Sequence, residues 1–163
     1  MTKKEINDFA ETLCGSEVAH LERHYNLSDS EMIHRCITED KNLVTTFTID
    51  EDEIVKQIKG MLLDEYNQAE IIDWLNDESD GEPWALEAEM DAPVGRGFFK
   101  EHWHEWNAGA ANCSLVVLVL KKVERRYDAT FRIASCYPSY SEKDKEELCR
   151  RQAEYYSQKA EEM

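Results

Sequence analysis

The sequence predicts an α+β domain in which N-terminal helices are followed by a mainly antiparallel β-sheet. In the first half of the chain, apolar residues recur at intervals of three and four, which is the period of a helix. From Trp84 onward the period changes to two, which is typical of strands with one solvent-facing side. The 163 residues are 42% hydrophobic and can bury one sizeable core, so we expect a single domain over 1–163.

Helices are expected in the opening forty residues and again over 50–76. The positions that carry the helical period in the opening segment are Ile6, Phe9, Leu13, Val18, Leu21, Met32, Ile33 and Cys36. Gly15 and Ser16 can end one helix and cap the next, and Ser28 with Glu31 forms a capping-box pattern after a turn. Residues 50–76 predict one long or two short amphipathic helices.

Three strands are expected in the second half of the chain. Residues 84–90 alternate between apolar and polar types, which predicts a strand with one wet face. Residues 113–123 form an almost uninterrupted apolar run, as expected of a central strand buried on both faces. Residues 127–137 alternate again, and we expect this strand to stop at Pro138.

The segments between these elements are predicted from their turn-forming residues. Residues 76–83 are rich in Asn, Asp, Ser, Gly and Pro and are expected to form a loop. Gly95 and Gly97 predict a second loop with backbone freedom, and 98–111 is too irregular to assign. The tail from Ser141 is highly charged and predicts a solvated helix.

The formal net charge of −16 argues against a nucleic-acid enzyme, because phosphate binding usually depends on a basic surface. The charge is unevenly distributed, however. Residues 39–91 carry 17 acidic side chains against 3 basic ones, whereas 112–138 carry 5 basic side chains against 2 acidic ones. The basic residues there are Lys121, Lys122, Arg125, Arg126 and Arg132. A locally basic strand pair can therefore face RNA, with Lys121 and Arg132 as candidate substrate contacts. The acidic middle is explained equally well by a solvated helix face and by a surface for a basic partner.

Cysteine usage and hydropathy exclude several other classes. The five cysteines, an odd set without CxxC spacing, predict reduced and mostly buried thiols rather than a disulfide framework or a zinc ribbon. The longest apolar run, 113–120, is far shorter than the roughly 18 residues of a membrane span. The first residues are too polar for a signal peptide, so no membrane anchor is expected.

Four side chains could form a site for cleaving RNA without a metal. Ser135 and Tyr137 are two apart on a predicted strand, so their hydroxyls project from one face. His24 and Arg35 are eleven residues apart, which would be one face of a continuous helix, although a turn follows His24. Each residue also has an ordinary explanation: a surface arginine, a solvent-facing histidine, a serine before a turn and a tyrosine near a strand end.

A metal site is a competing hypothesis. His20 and His24 are spaced i, i+4 on a predicted helix, and His102 with His104 offers two more imidazoles for zinc or nickel. No cysteine or carboxylate is placed to complete a convincing tetrahedral set. We therefore expect neither a metal nor any other cofactor.

Short segments in a particular order and spacing carry a resemblance to a known family: 19–24, 28–29, 32–35, 46–47, 72–75, 94–97, 115–120 and 135–138. Together they resemble the bacterial ribonuclease A-like toxin domain found at the carboxyl ends of contact-dependent growth inhibition and other polymorphic toxins. In that reading, 19–35 is similar to the family's opening helix pair. Residues 46–47 and 72–75 resemble its helical middle, and 94–97, 115–120 and 135–138 resemble its closing strands. The resemblance predicts a toxin-like core over 16–138 and a charged C-terminal helix over 139–163.

The resemblance implies a ribonuclease A-like fold and an active site of histidine, arginine, threonine and tyrosine at His24, Arg35, Ser135 and Tyr137. Ser135 replaces the family threonine, which keeps the hydroxyl but loses the methyl group that stiffens its rotamer. Ala19 stands where many members carry an additional histidine. The implied activity is metal-independent cleavage of RNA, with tRNA as the family-level substrate, by attack of the 2′-hydroxyl to leave a 2′,3′-cyclic phosphate.

The same resemblance implies a cognate immunity protein as partner and action in the cytoplasm of a target cell after delivery. The main alternative is not an enzyme. A small, strongly acidic protein with reduced cysteines could be an immunity or antitoxin-like protein that binds a basic nuclease. The sequence does not indicate an oligomeric state.

Overall fold

The structure, a computed structural model, describes residues 1–18, 21–101 and 109–162 and is α+β, as predicted. Its α-helices within those ranges are α1 (Lys3–Glu11), α2 (Asp29–Thr38), α3 (Glu51–Leu63), α4 (Glu65–Asn76) and α5 (Glu142–Glu161). Its strands there are β1 (Leu43–Phe47), β2 (Trp84–Glu89), β3 (Gly95–Phe99), β4 (Ala111–Cys113), β5 (Leu115–Glu124) and β6 (Ala129–Ser139). No described helix is both long and apolar enough to cross a bilayer.

The helices begin where the sequence provides caps. Ser28 and Glu31 form the predicted capping box at the start of α2. The carboxylate of Asp64 accepts a hydrogen bond from the backbone N–H of Asn67, while the extended backbone of Asp64 ends α3 and begins α4. Residues 50–76 therefore form two short helices, one of the two outcomes that their periodicity allowed.

The chain divides into two compact units, each built from three separate stretches of sequence. The first unit comprises Met1–Glu22, Ile49–Ala88 and Val116–Tyr137, and the second comprises Arg23–Thr48, Glu89–Leu115 and Pro138–Met163. Neither unit is contiguous in sequence. The expectation of one domain over 1–163 stays a prediction.

The first unit holds α1, α3 and α4 and most of an antiparallel sheet with the order β2–β5–β6. The ring of Phe9 on α1 meets that of Phe131 on β6 edge to face, with centroids 5.1 Å apart. Val116 and Val117 are adjacent on β5 and both buried, so the start of this strand is covered on both faces, as predicted. β5 and β6 are joined by a tight turn in which Arg125 N donates to Asp128 O at 2.8 Å.

The second unit holds an antiparallel sheet with the order β1–β3–β4, covered by α2 and α5. Buried residues of α2 pack with β1 and β3 in one apolar cluster: Met32, Cys36, Val44 and Phe98. Leu148 of α5 packs with Tyr140 and with Cys113 of β4. The charged tail is thus a helix, as predicted, and it contributes to the core of this unit.

The two glycines predicted to loosen a loop instead lie in β3. Gly97 is opposite Thr45 of β1 in the register, and a Cβ atom on Gly97 would lie 2.6 Å from the carbonyl oxygen of Val44. A Cβ on Gly95 would lie 2.5 Å from the carbonyl oxygen of Thr46. The prediction of a loop was wrong here, because these glycines serve close packing of two strands rather than backbone freedom.

Three other predictions of local structure were also wrong. Where a second opening helix was expected, Gly15–Glu17 and Leu21–Arg23 form short 3₁₀ turns. Pro138 does not stop β6, which continues to Ser139; β6 lies at an edge of its sheet, where a missing N–H is tolerated. Cys113 belongs to β4, and β5 begins only at Leu115.

Candidate active site

His24 lies in an irregular segment between a 3₁₀ turn and α2, and its backbone is bonded to the end of β1. The backbone N–H of Phe47 donates to the carbonyl oxygen of His24 at 2.6 Å, and Asn26 N donates to Phe47 O at 3.2 Å. Tyr25 forms a parallel bridge with Phe47 between these two bonds. Asn26 has a φ of 53°, a left-handed conformation that turns the chain toward α2. The half-buried imidazole is therefore positioned by a strand end, and not by the helix that the sequence predicted.

Side chains from β1 and β3 hold the residues that follow His24. The hydroxyl oxygen of Thr46, which is buried, accepts a hydrogen bond from Leu27 N at 2.8 Å. Arg96 donates from Nη2 to the carbonyl oxygen of Leu27 at 2.7 Å and forms an ion pair with Asp29. Both backbone groups of Leu27 are thus satisfied by side chains of the sheet, which restrains the segment.

Arg35 lies on α2 and reaches back to the residue before His24. Its Nη1 donates to the carbonyl oxygen of Arg23 at 2.8 Å, and its Nε donates to Oε2 of Glu39 at 3.1 Å. Its side chain is only 14% exposed. The structure thus brings Arg35 to the His24 segment, although a turn and a bridge separate the two residues in place of a continuous helix.

Glu39 lies close to three cationic side chains at the end of α2. Its Oε1 lies 3.3 Å from Nη2 of Arg23, and its Oε2 lies 4.0 Å from Nζ of Lys41 in addition to the bond from Arg35. Desolvation alone would raise the pKa of Glu39, but the hydrogen bond from Arg35 and the charges of Arg35, Arg23 and Lys41 lower it below its ordinary value. The carboxylate is therefore an internal counter-ion of a basic cluster.

Ser135 and Tyr137 lie on β6, where they alternate with the buried residues Cys136 and Pro138. Both are half-buried, as expected of two side chains on the same face of a strand. Burial raises the pKa of Tyr137, and the negative charge of Glu87 on β2 raises it further. The phenol is thus protonated at neutral pH.

The two pairs of predicted catalytic residues belong to different compact units. His24 and Arg35 are in the second unit, and Ser135 and Tyr137 are in the first. Each pair has the local arrangement described above. The convergence of all four on one phosphate stays a prediction.

Lys121 and Arg132, the two candidate substrate contacts, are exposed on β5 and β6. Lys121 lies four residues before Arg125, and Arg132 lies four residues after Asp128, the two residues that close the turn. An uninterrupted hairpin therefore places Lys121 and Arg132 opposite one another. Like charges in that arrangement repel each other and favour a bound anion. In contrast, Lys122 donates to the carbonyl oxygen of Asp77 at 2.7 Å, so its ammonium group is engaged within the fold.

Sequence comparison identifies the family. A family model described as the bacterial CdiA-CT RNAse A domain matches residues 19–138. The chain belongs to this family. It is a ribonuclease toxin domain of contact-dependent growth inhibition, as the resemblance predicted. No curated protein matches the sequence at a significant level.

A solved structure supports the ribonuclease A-like fold of this CdiA-CT domain. It is described as the crystal structure of a CdiA-CT/CdiI complex from Y. kristensenii 33638. The TM-score is 0.58 at 15% sequence identity, and the match covers 74% of this chain and 98% of the other. Helices α1 and α5 of the present CdiA-CT domain lie outside the residues that the family model matches.

The first unit of the CdiA-CT domain has a pocket. An open pocket of about 430 Å³ in the first unit lies between the end of α1 and the start of α3, lined in part by Cys14, Glu51 and Lys56. None of the four predicted catalytic residues lines it.

The metal hypothesis gains no further support from the described residues. Within 1–18, 21–101 and 109–162, no group of three or more His, Cys, Asp or Glu side chains is arranged to hold an ion. His20, His102 and His104 lie outside those ranges.

Sequence reasoning missed the residues that position His24 and Arg35. Thr46 and Arg96 act through contacts with residues distant along the chain, and no periodicity marks such contacts. Glu39 is four residues from Arg35, a helical spacing that sequence reasoning could have used. A further signal was present: residues 46–47 and 94–97 both belong to the segments that carry the family resemblance.

Proposed function

We propose that this CdiA-CT RNAse A domain is a metal-independent endoribonuclease that cleaves RNA through its own 2′-hydroxyl. The observation that carries the proposal is the hydrogen bond from Arg35 to the carbonyl oxygen of Arg23. It attaches a guanidinium to the same short segment as an imidazole, and these are the two groups that this chemistry most needs.

His24 is the proposed general base. Its imidazole takes the proton of the ribose 2′-hydroxyl as that oxygen bonds to the adjacent phosphorus. The bond from phosphorus to the 5′-oxygen then breaks, and the leaving oxygen takes up a proton. The products are a 2′,3′-cyclic phosphate and a 5′-hydroxyl. Tyr137, which is protonated at neutral pH, is the proposed donor to the leaving oxygen or to a phosphoryl oxygen.

Arg35 is the proposed electrostatic partner of the reacting phosphate. The pentacoordinate phosphate gains negative charge, and a planar guanidinium can donate to two of its oxygens. Ser135 is assigned to the phosphate or to a neighbouring base, with its hydroxyl standing in for that of the family threonine. Lys121 and Arg132 are assigned to flanking parts of the RNA.

The proposed substrate is RNA, with tRNA as the family-level choice, and the proposed site of action is the cytoplasm of a target cell. The solved relative is a CdiA-CT/CdiI complex. By analogy, we propose that the present chain has its own cognate immunity protein, which covers either the catalytic residues or the acidic flank. The family match favours this toxin role over the alternative of an acidic immunity protein.

The test is cleavage of total RNA and of purified tRNA by the protein in EDTA, compared with His24→Ala. The matched control is His34→Ala, because His34 is an exposed histidine on α2 in the same unit. We expect cleavage by the wild type and His34→Ala, products ending in cyclic phosphate, and loss of activity in His24→Ala. An oligonucleotide with a single 2′-deoxy group at the cleaved step should resist.

Two results would refute the mechanism: equal cleavage of the 2′-deoxy substrate, or activity lost in EDTA and restored by zinc. Growth provides an independent readout. Induced expression in bacteria should slow growth for the wild type and His34→Ala but not for His24→Ala, and harmless expression of all three would favour the immunity-like alternative.

A further inference from the structure

An anion occupies an unfavourable place at the end of α2. Glu39 is the C-cap residue of that helix, where the helix dipole and free carbonyl groups disfavour negative charge. It is nevertheless bonded to Arg35 at 3.1 Å and to Arg23 at 3.3 Å, with Lys41 at 4.0 Å. The positive potential of the three cations therefore outweighs the dipole, so this place is suited to an anion.

The cluster is accessible to a ligand. The side chains of Arg23 and Lys41 are 46% and 44% exposed, and that of Glu39 is 35% exposed. The acid next along the chain, Asp40, forms its own ion pair with Lys100 and does not neutralise the cluster. Three cations thus surround one carboxylate, which leaves a local excess of positive charge in a protein whose net charge is −16.

The three cations do not have equivalent surroundings. Arg35 is mostly buried and holds the His24 segment through the carbonyl oxygen of Arg23. Arg23 and Lys41 are solvent-facing, and each is bonded or close to one oxygen of Glu39. An oxyanion that replaced the carboxylate would meet both side chains and would also take over the hydrogen bond from Arg35 Nε, while the bond from Arg35 Nη1 to Arg23 O does not involve Glu39.

We propose that Arg23 and Lys41 bind a second phosphate of the RNA, next to the one that is cleaved, and that the carboxylate of Glu39 occupies this place until RNA enters. The inference rests on the proposed ribonuclease activity and extends it to a longer substrate. A chain of nucleotides carries phosphates at regular spacing, so a cationic cluster adjoining the His24 segment matches a neighbour of the scissile phosphate.

The test compares Arg23→Gln/Lys41→Gln with the wild type on two substrates that share the cleaved step. One is a dinucleoside monophosphate, with the scissile phosphate alone, and the other is an oligonucleotide with flanking phosphates. We expect kcat/KM to fall about tenfold for the oligonucleotide and by less than about twofold for the dinucleoside monophosphate. The slope of log(kcat/KM) against log[salt] on the oligonucleotide should fall in magnitude by about 0.7.

The control is Lys3→Gln/Lys143→Gln, which removes the same charge at exposed positions on α1 and next to the start of α5. It should leave both substrates unchanged. Equal losses on the dinucleoside monophosphate and the oligonucleotide would overturn the proposal, since the pair would then act only by supporting Arg35. Unchanged cleavage of both substrates would also overturn it.

Binding separates this proposal from the proposed activity. Anisotropy with an oligonucleotide that carries 2′-deoxy sugars throughout reports phosphate contacts even if the protein cleaves no RNA. Arg23→Gln/Lys41→Gln should weaken this binding about tenfold, and Glu39→Gln should strengthen it about threefold by removing the competing charge. Weaker binding by Glu39→Gln would show that the carboxylate organises the cations and is not displaced.

Discussion

The Nη1 atom of Arg35 lies 2.8 Å from the carbonyl oxygen of Arg23 and donates a hydrogen bond to it. This bond joins α2 to the segment that carries His24, and the Phe47–His24 backbone bond joins the same segment to β1. The segment that carries the proposed base is therefore also hydrogen-bonded to the proposed phosphate-binding cation, and its backbone is restrained from both sides.

Arg35→Lys should lower kcat by about 10²- to 10³-fold, because an ammonium keeps the charge but cannot donate to two phosphoryl oxygens at a fixed angle. It should also lower the free energy of unfolding by about 1 kcal/mol, since the bond to Arg23 O is lost or lengthened. Steady-state kinetics and urea unfolding measure the two effects. A kcat within about twofold of the wild type would mean that the guanidinium fork is not used.

Thr46→Val should reduce both stability and activity, although Thr46 is not assigned to the substrate. The change preserves shape but removes the oxygen that accepts the N–H of Leu27, so a half-buried donor loses its partner at a cost of about 1–3 kcal/mol. Thr46→Ser keeps the oxygen and serves as the control. If the Val variant has wild-type kcat and the expected loss of stability, the Leu27 bond does not position His24.

Glu87→Gln should shift the alkaline limb of the pH–kcat profile to lower pH. The charge of Glu87 raises the pKa of Tyr137 beyond the effect of burial, so removing it lowers that pKa, and the phenol deprotonates earlier as pH rises. Ultraviolet titration of tyrosinate checks the pKa independently. Glu89→Gln, an exposed acid two residues along β2, is the control. A profile shifted equally in both variants would indicate a general charge effect.

Asp144→Ala should destabilise the protein at neutral pH by about 1–3 kcal/mol. Asp144 Oδ2 accepts hydrogen bonds from Ser114 N and Oγ and from Ser141 N, at 2.6, 2.8 and 2.9 Å, which ties α5 to the break between β4 and β5. Desolvation tends to raise the pKa of Asp144, but these hydrogen bonds lower it overall.

The lowered pKa of Asp144 sets the sign of the pH dependence. Because the pKa of Asp144 is lower in the folded protein than its value of 3.8 in the unfolded chain, the ionised carboxylate stabilises the fold fully above pH 3.8. This stabilisation is lost as the pH falls through the pKa of the folded state. The difference between wild type and Asp144→Ala in urea unfolding should therefore be largest near neutrality and shrink below pH 3.8. A difference independent of pH would show that the carboxylate charge contributes nothing.

Gly97→Ala should destabilise the protein by about 1–3 kcal/mol, as overpacking does, because its Cβ would meet the backbone oxygen of Val44 at 2.6 Å. Gly60→Ala is the matched control: it lies within α3 with open space around its Cβ position, so the same change should stabilise by about 0.5–1 kcal/mol. Thermal unfolding of the two variants should therefore move in opposite directions. Similar shifts would contradict the close strand contact.

Local patterns in the sequence were sufficient for much of the fold. The capping box of Ser28 and Glu31, the helical period over 50–76 and the alternation over 84–90 each depend on neighbours within one turn or one strand, so they were predicted correctly. The order of short segments over 19–138 was also sufficient to predict the family, because the spacing of segments along the chain is itself a property of the sequence.

Only the tertiary structure decided how His24 and Arg35 are held. Val18 and Leu21 have helical spacing, but both are buried where the chain forms short 3₁₀ turns, in which residues three apart also share a side. β1 was missed because its buried threonines look polar in sequence, and β3 because its glycines look like a loop. Both strands are stabilised by contacts between residues that are far apart in the sequence. Thr46 of β1 contacts Leu27, and Gly97 of β3 packs against β1. Such contacts depend on packing and hydrogen bonding between distant segments, which local residue patterns do not encode.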